Sequence, residues 1–352
     1  MSTGQLCSAF CLLPSASLIC PRTQPMNFPT FADIVSARAA ISGFLPKTPL
    51  VRLNKISELL DCDYYAKLEN LQPTGAFKVR GGINLVRTEA SAGNGKPLTL
   101  ITASTGNHGQ SIAYAGRLFG ARVIIYAPTE NVNESKMQAM RDLGAEVRLH
   151  GRDFDEARLE VERLARDGGY RYVHSANEPL LIAGVGTISA EIFEDLPDVD
   201  VIIAPAGGGS CASGACITAH ELNPKVGVYA VQSDAAPALW HAYQSRTLDP
   251  YPTMRTAHEG LATRVPFELT NKILWKHLTD FLLVSDEEIN ESIRALAHNA
   301  KLIAEGAGAA SLAGAFKLRQ KLRGKKVVGI LTGGNIPSDR FAKLIMNGGS
   351  AG

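Results

Sequence analysis

The sequence predicts an α/β protein built on two open, twisted, mostly parallel sheets flanked by helices. Three observations carry this. From about residue 60 onward, short β-branched runs alternate with amphipathic helical stretches. That alternation is what parallel sheets covered on both faces require. The chain has 352 residues, more than one ordinary core organises and enough for two domains of roughly 100–200 residues each. Polar or glycine-rich turns follow three of the apolar runs, at Ser104–Gly109, Gly207–Ser210 and Thr332–Asn335. In open parallel sheets, ligands sit outside the carboxyl ends of the strands, so three such turns imply one shared cleft.

The elements follow in order. Strands are expected at Tyr64–Leu68, Leu98–Ala103, Val123–Ala127, Glu146–Leu149, Val199–Pro205, Val226–Gln232, Phe281–Val284 and Val327–Leu331. Each is short and mostly rich in β-branched residues. Helices are expected at Gly109–Leu118, Lys136–Leu143, Phe154–Asp167, Gly186–Phe193, Asp286–Ala300 and Ala309–Leu322. The clearest start is Ser285-Asp286-Glu287-Glu288. It combines an N-cap serine, a glutamate at the third helical position and acids at the positive helix end. No internal repeat or low-complexity tract interrupts the pattern.

Composition removes several classes of function. With 36 basic against 34 acidic residues the formal charge is +2, so no electrostatic case exists for nucleic acid or an anionic membrane. None of the six cysteines forms a CxxC pair, which argues against a structural zinc site. Only Cys62, Cys211 and Cys216 lie in the body of the chain, a usage that suits the reducing cytoplasm. The apolar stretch Leu6–Ile19 has no Lys or Arg ahead of it and is too short to cross a bilayer. Residues 1–26 are expected to be a disordered extension, with Met26 as an alternative start.

Four places carry chemistry. Lys78 lies in Thr74-Gly75-Ala76-Phe77-Lys78-Val79-Arg80-Gly81, between an aromatic residue and a helix start rich in small residues. A partly desolvated lysine near other cations loses basicity and forms a Schiff base with an aldehyde. A lone lysine would be an ordinary solvated side chain, and here the surrounding motif overturns that. The run Gly207-Gly208-Gly209-Ser210 follows a buried strand and precedes a helix. Successive backbone N–H groups there, with the positive helix end, bind a phosphate without a basic side chain. It is neither a Walker motif nor a dinucleotide fingerprint. Asn107 and His108 sit between a strand and a helix start, and Thr332 places a hydroxyl at the end of a buried strand.

Taken together these segments resemble the serine/threonine dehydratase family, which includes serine racemase. The Lys78 segment, Ser104–Gln110, Gly207–Gly209, Glu305-Gly306-Ala307-Gly308 and Leu331-Thr332-Gly333-Gly334-Asn335 occur in the family's order and approximate spacing, over roughly residues 27–345. The resemblance implies the tryptophan-synthase-β-like fold, fold type II of the pyridoxal-phosphate enzymes, with pyridoxal 5'-phosphate as cofactor. It implies that residues 27–98 and 179–345 form a large cofactor-binding domain and 99–178 a small one, and that the protein is a homodimer. It implies that Lys78 forms the Schiff base and takes the α-proton, and that Phe77 packs beside the cofactor ring. Asn107 would bond the ring hydroxyl, and Thr332 would face the ring nitrogen. Gly207, Gly208, Gly209, Ser210 and Cys211 would wrap the phosphate. Ser104, Thr105 and His108 would hold the substrate carboxylate, with Thr105 at the position of the racemase's hydroxyl base.

The activity implied is dehydration and deamination of a β-hydroxy amino acid, threonine or serine first, to a 2-oxo acid and ammonia. The alternatives are a bulkier or acidic substrate (phenylserine or 3-hydroxyaspartate), a serine racemase, a β-replacing synthase, or an inactive binding protein. Some features depart from the family. Ser210 replaces the fourth glycine of the phosphate loop and Cys211 follows it. Gln232 and Ala238 stand where the racemase has metal-binding acids, so no metal is expected; Asp234 alone is a weak ligand candidate. The chain stops soon after Asn335, so no regulatory domain is expected there. Around the β-carbon the expected residues are Ala236, His258, Glu259, Gly260, Leu261 and Gly306. Arg158 or Arg264 would be the reader of an acidic substituent.

Overall fold

The computed structural model describes residues 27–346 apart from 94, 131 and 132. The N-terminal extension lies outside the described residues. In chain order, the first elements are α1 (Phe31–Ile41), β1 (Leu50–Arg52), α2 (Asn54–Leu60), β2 (Asp63–Leu68) and α3 (Val79–Ala92). Next come β3 (Thr99–Ala103), α4 (Asn107–Phe119), β4 (Arg122–Ala127), α5 (Glu134–Asp142), β5 (Glu146–Leu149), α6 (Phe154–Gly168) and β6 (Arg171–Tyr172). Then follow α7 (Pro179–Asp195), β7 (Val201–Pro205), α8 (Ser210–Leu222), β8 (Gly227–Ser233), α9 (Ala238–Ser245) and α10 (Glu268–His277). The last are β9 (Asp280–Val284), α11 (Asp286–Ala300), α12 (Gly306–Lys317), α13 (Arg319–Leu322), β10 (Lys326–Leu331) and α14 (Ser338–Met346).

Two sheets result. One has six strands in the order β1-β2-β10-β7-β8-β9, the other four in the order β5-β4-β3-β6. Every pairing is parallel except β1 with β2. All strands of the smaller sheet come from residues 99–172, and the larger sheet is drawn from both sides of that stretch.

The apolar runs are continuous because both faces of each sheet are covered. Successive side chains of a strand point to opposite faces. In β7, Ile202 and Ala204 face one core with Phe77, Ile188 and Ala212, while Val201 and Ile203 face another with Ile293 and Leu312. The smaller sheet repeats this: Val123 and Ile125 pack with Met140, while Ile124 and Tyr126 pack with Val161.

All eight expected strands are present, with ends shifted by up to two residues. β1 and β6 have three and two residues, too short for a periodic signal. Helix α7 begins at Pro179 rather than Gly186. Its run is buried on nearly every side, so no single apolar stripe marks its start. The stretch expected as one helix at Ala309–Leu322 is two, α12 and α13, interrupted at Leu318. Ser285 makes its capping box with Glu288 as expected.

Candidate active site

A cleft of about 490 Å³ opens where strand ends of both sheets meet. The turn after β3 supplies Ser104 through His108, the turn after β7 Gly207 and Gly208, and the end of β10 Thr332, with Phe77 and Lys78 between them. Gly209, Ser210 and Cys211 do not line it. Ser210 and Cys211 are buried at the start of α8, and the Cys211 side chain packs in the core. Burial pushes the Cys211 thiol up, so it is protonated and inert.

Lys78 is the N-cap of α3. Its position is fixed from the β10 side: the Phe77 N–H donates to Thr332 O at 2.9 Å, and Ala76 bridges to Gly333. The turn before it needs glycine, because Gly75 has φ +66° and a Cβ there would collide with the Asn335 side chain. The Lys78 ammonium lies 5.2 Å from the centre of the Phe77 ring. Burial lowers its pKa to about 8, against the pull of Cys211 and Glu305. The neutral amine is the form that adds to an aldehyde, so lowering the pKa enlarges the reactive fraction near neutral pH. Uptake of pyridoxal phosphate by the cofactor-free protein is expected to speed up with pH around a midpoint near 8. Stopped-flow absorbance over a pH series measures this; a midpoint near 10.5, the ordinary lysine value, would contradict it.

The turn after β7 presents donors without acceptors. Among the described residues, no protein acceptor bonds the N–H groups of Gly207, Gly208, Gly209, Ser210 or Cys211. They stand at the N-terminal end of α8, where the helix dipole favours an anion. Gly209 has φ +90°, which a side chain would strain. A Cβ on Gly207 would collide with the Gly260 carbonyl oxygen. This cradle of free N–H groups fits a phosphate, and the neighbouring amine fits an aldehyde, so the residues present fit pyridoxal phosphate.

The turn after β3 is a second cradle. Ser104 Oγ accepts from the N–H of Gly106 (3.1 Å) and Gly109 (2.8 Å), so its lone pairs hold the turn. The N–H groups of Thr105, Asn107 and His108 have no acceptor among the described residues. His108 is buried, with Nε2 2.9 Å from Thr102 Oγ1, whose proton goes to Val173 O. The histidine Nε2 therefore carries the hydrogen in that contact. Burial, aided by the Lys78 charge, pushes its pKa down to about 3, so the ring is neutral. Asn107 is held at both ends of its amide: it donates to Glu305 Oε1 at 2.5 Å and accepts from Asn335 at 2.8 Å. The Thr332 hydroxyl, on a residue only 3 % exposed, makes no side-chain hydrogen bond among the described residues.

Other expected residues are placed elsewhere. Glu259 and Gly260 line the cleft, whereas Ala236, His258, Leu261 and Gly306 do not. Arg158 and Arg264 are tied to acids of α6, Arg158 to Glu162 and Arg264 to Asp155, and neither lines the cleft. Gln232 is fully buried and accepts from the Trp240 N–H at 3.1 Å. Among the described residues no group of three or more His, Cys, Asp or Glu is placed to hold a metal ion, and no helix is long and apolar enough to cross a membrane.

Sequence reading missed two groups. Lys136 and Glu305 meet in the cleft, and burial raises the Glu305 carboxyl above its ordinary value against the pull of Lys136 and Asn107. Beneath Lys78, Arg80 forks to both Glu69 oxygens (2.7 and 2.8 Å) and both Glu191 oxygens (2.8 Å each). Lys67 sits 2.7 Å from Glu191. None of these four side chains is more than 1 % exposed. Burial works to raise the Glu191 carboxyl, yet Arg80 and Lys67 outweigh it and hold it below its ordinary value. No local pattern announces this network, because its members lie far apart in sequence.

A lysine amine facing a phosphate cradle across a cleft between parallel sheets is the signature of a pyridoxal-phosphate enzyme. The family model described as pyridoxal-phosphate dependent enzyme matches residues 41–333, and the chain belongs to that family. It is 36% identical over 325 residues to an L-threonine ammonia-lyase of Thermotoga maritima, covering 91% of this chain and 79% of the relative. It is 35% identical over 332 residues to the L-threonine dehydratase catabolic TdcB of Staphylococcus aureus, covering 92% and 94%. Its fold superposes on a serine racemase from Dictyostelium discoideum with a TM-score of 0.80 at 31% identity, covering 88% and 99%.

Proposed function

We propose that this protein is an ammonia-lyase that removes water and then ammonia from a β-hydroxy amino acid, with threonine or serine as the substrate. The observation that carries it is the pairing of two unsatisfied N–H cradles with one amine of lowered basicity between them. The threonine lyases at 35% and 36% identity support the choice of reaction.

The cofactor, when bound, withdraws electrons from the amino acid's α-carbon and so makes its C–H acidic and its β-hydroxyl able to leave. Lys78 Nζ would hold its aldehyde covalently, the N–H groups after β7 its phosphate, and Asn107 its ring hydroxyl. Glu305 and Asn335 set the plane of the Asn107 amide, so that group needs no rearrangement to bind. When not bonded to the aldehyde, the Lys78 amine would be the base at Cα, and its lowered pKa favours the form that accepts a proton. Thr332 would offer the ring nitrogen a neutral hydroxyl. Lacking a carboxylate's charge, it would not stabilise a protonated ring, which favours elimination. The free N–H groups of Thr105, Asn107 and His108 would hold the α-carboxylate, with the Thr105 hydroxyl beside them. The His108 ring, neutral and bonded to Thr102, serves this site by position and bulk.

Residues 27–98 with 179–345 would form the large domain and 99–178 the small one, closing on substrate to exclude water. A homodimer in the cytoplasm belongs to the same reading. It is supported by exposed Phe44 and Leu118, beside the edge-on contact of Phe44 with Phe119, and by the three cysteines among the described residues, all buried and free. A second reading, an acidic substrate such as 3-hydroxyaspartate, is favoured by one observation. Arg255 lines the cleft with no side-chain partner among the described residues, a role Arg158 and Arg264 are not placed to fill.

The test is release of 2-oxo acid from stereoisomers of threonine, serine, phenylserine and 3-hydroxyaspartate. Threonine or serine should react fastest. A preference for 3-hydroxyaspartate that disappears in Arg255→Gln would establish the second reading, and D-serine formed in excess over pyruvate would make the protein a racemase. Gly207→Ala should lose cofactor affinity by at least tenfold, because its methyl collides with Gly260 at the phosphate cradle. Cofactor titration by fluorescence measures it, and unchanged affinity would contradict the assignment of that turn.

A further inference from the structure

Lys136 belongs to the first turn of α5, beside the smaller sheet, yet only 10% of its side chain is exposed. Its ammonium donates to Glu259 Oε2 at 2.7 Å and lies 3.7 Å from Glu305 Oε2. Its stem lies across Gly106: a Cβ on that glycine would be 3.1 Å from Lys136 Cδ and 3.5 Å from Nζ. The charge therefore sits directly against the turn whose N–H groups at Thr105, Asn107 and His108 are free.

One ammonium here faces two carboxylates of different character. The Glu305 side chain is 8% exposed and held by Asn107, so it cannot leave. The Glu259 side chain is 41% exposed and makes no other side-chain hydrogen bond among the described residues. Ion pairs with one partner in water are weak, and Glu259 regains its hydration on release. An incoming carboxylate on the β3 turn would replace it at small cost.

Building on the reading that the substrate carboxylate docks on this turn, we propose that Lys136 is a substrate-binding residue. It is held by Glu259 in the empty site and transferred to the substrate's α-carboxylate on binding. Glu259 is then a competitor for the lysine, which makes the two residues act in opposite directions.

The test uses the holoenzyme and 3-hydroxybutyrate, which carries the carboxylate and hydroxyl of threonine without its amine. Its dissociation constant is measured by calorimetry. Lys136→Gln should weaken binding about tenfold, the scale of a lost charge-assisted hydrogen bond, with the cofactor absorbance unchanged. Glu259→Gln should tighten binding about two- to five-fold, by removing a competing exposed pair. The neutral 3-hydroxybutyramide should not distinguish Lys136→Gln from the parent. If both substitutions weaken 3-hydroxybutyrate binding, the pair is a structural strut and the proposal is overturned. It is equally overturned if Ser104→Ala, which removes the hydroxyl that holds the turn, weakens binding while Lys136→Gln does not, and the docking of the carboxylate on the turn then survives. If neither Ser104→Ala nor Lys136→Gln has an effect, that docking itself fails.

Discussion

Lys78→Ala is expected to lower turnover by roughly 10³-fold or more while leaving the fold intact. Two functions are lost together. Among the described residues the side chain is the only lysine amine on the cleft wall besides Lys136, whose ammonium faces two carboxylates, Glu259 and Glu305. Removing a positioned base typically costs about 10²–10⁴ in rate, and the covalent hold on the cofactor goes with it. Stability should change little, since deleting a cleft-facing amine relieves the burial that lowers its basicity. Steady-state assay of 2-oxo acid release, with circular dichroism as the control for folding, checks this. A variant that unfolds would instead make Lys78 structural.

Arg80→Met has the largest expected effect on stability. The methionine fills similar volume, but it leaves Glu69 and Glu191 buried without the fork that satisfies them. Breaking a buried pair by removing one partner costs about 3–5 kcal/mol, against a total stability of roughly 5–15 kcal/mol. Lys67 and Arg38 still reach Glu191, so Glu69 carries most of the loss. Urea unfolding of the two proteins measures it; a change below about 1 kcal/mol would mean the network is already compensated elsewhere.

Much of the fold was legible because its strands are buried on both faces. Runs such as Val-Ile-Ile-Tyr-Ala at 123–127 need no partner to be recognised. The proposed chemistry was legible for a related reason. Phosphate recognition by backbone N–H demands glycines in sequence, and an amine that bonds an aldehyde must be lysine, so Gly207–Gly209 and Lys78 stand out in one dimension. The Asn107 amide was legible, but what orients it was not, since Glu305 and Asn335 arrive from distant turns. Lys136 reads as an ordinary amphipathic-helix lysine, because its two carboxylate partners lie 123 and 169 positions further along. Ser104 was expected to contact substrate, and the structure adds a second role the sequence did not show, its hydroxyl accepting two N–H groups of its own turn. A serine before a helix start fits both roles, and three-dimensional geometry is needed to see the second.

Every step of the proposed reaction requires the Lys78 amine to hold the cofactor. The holoprotein reduced with borohydride, which fixes an imine as a stable amine, and then digested and weighed by mass spectrometry tests it directly. The cofactor's added mass is expected on the peptide containing Lys78. An adduct confined to Lys136 or to surface lysines, or no adduct at all, would contradict it.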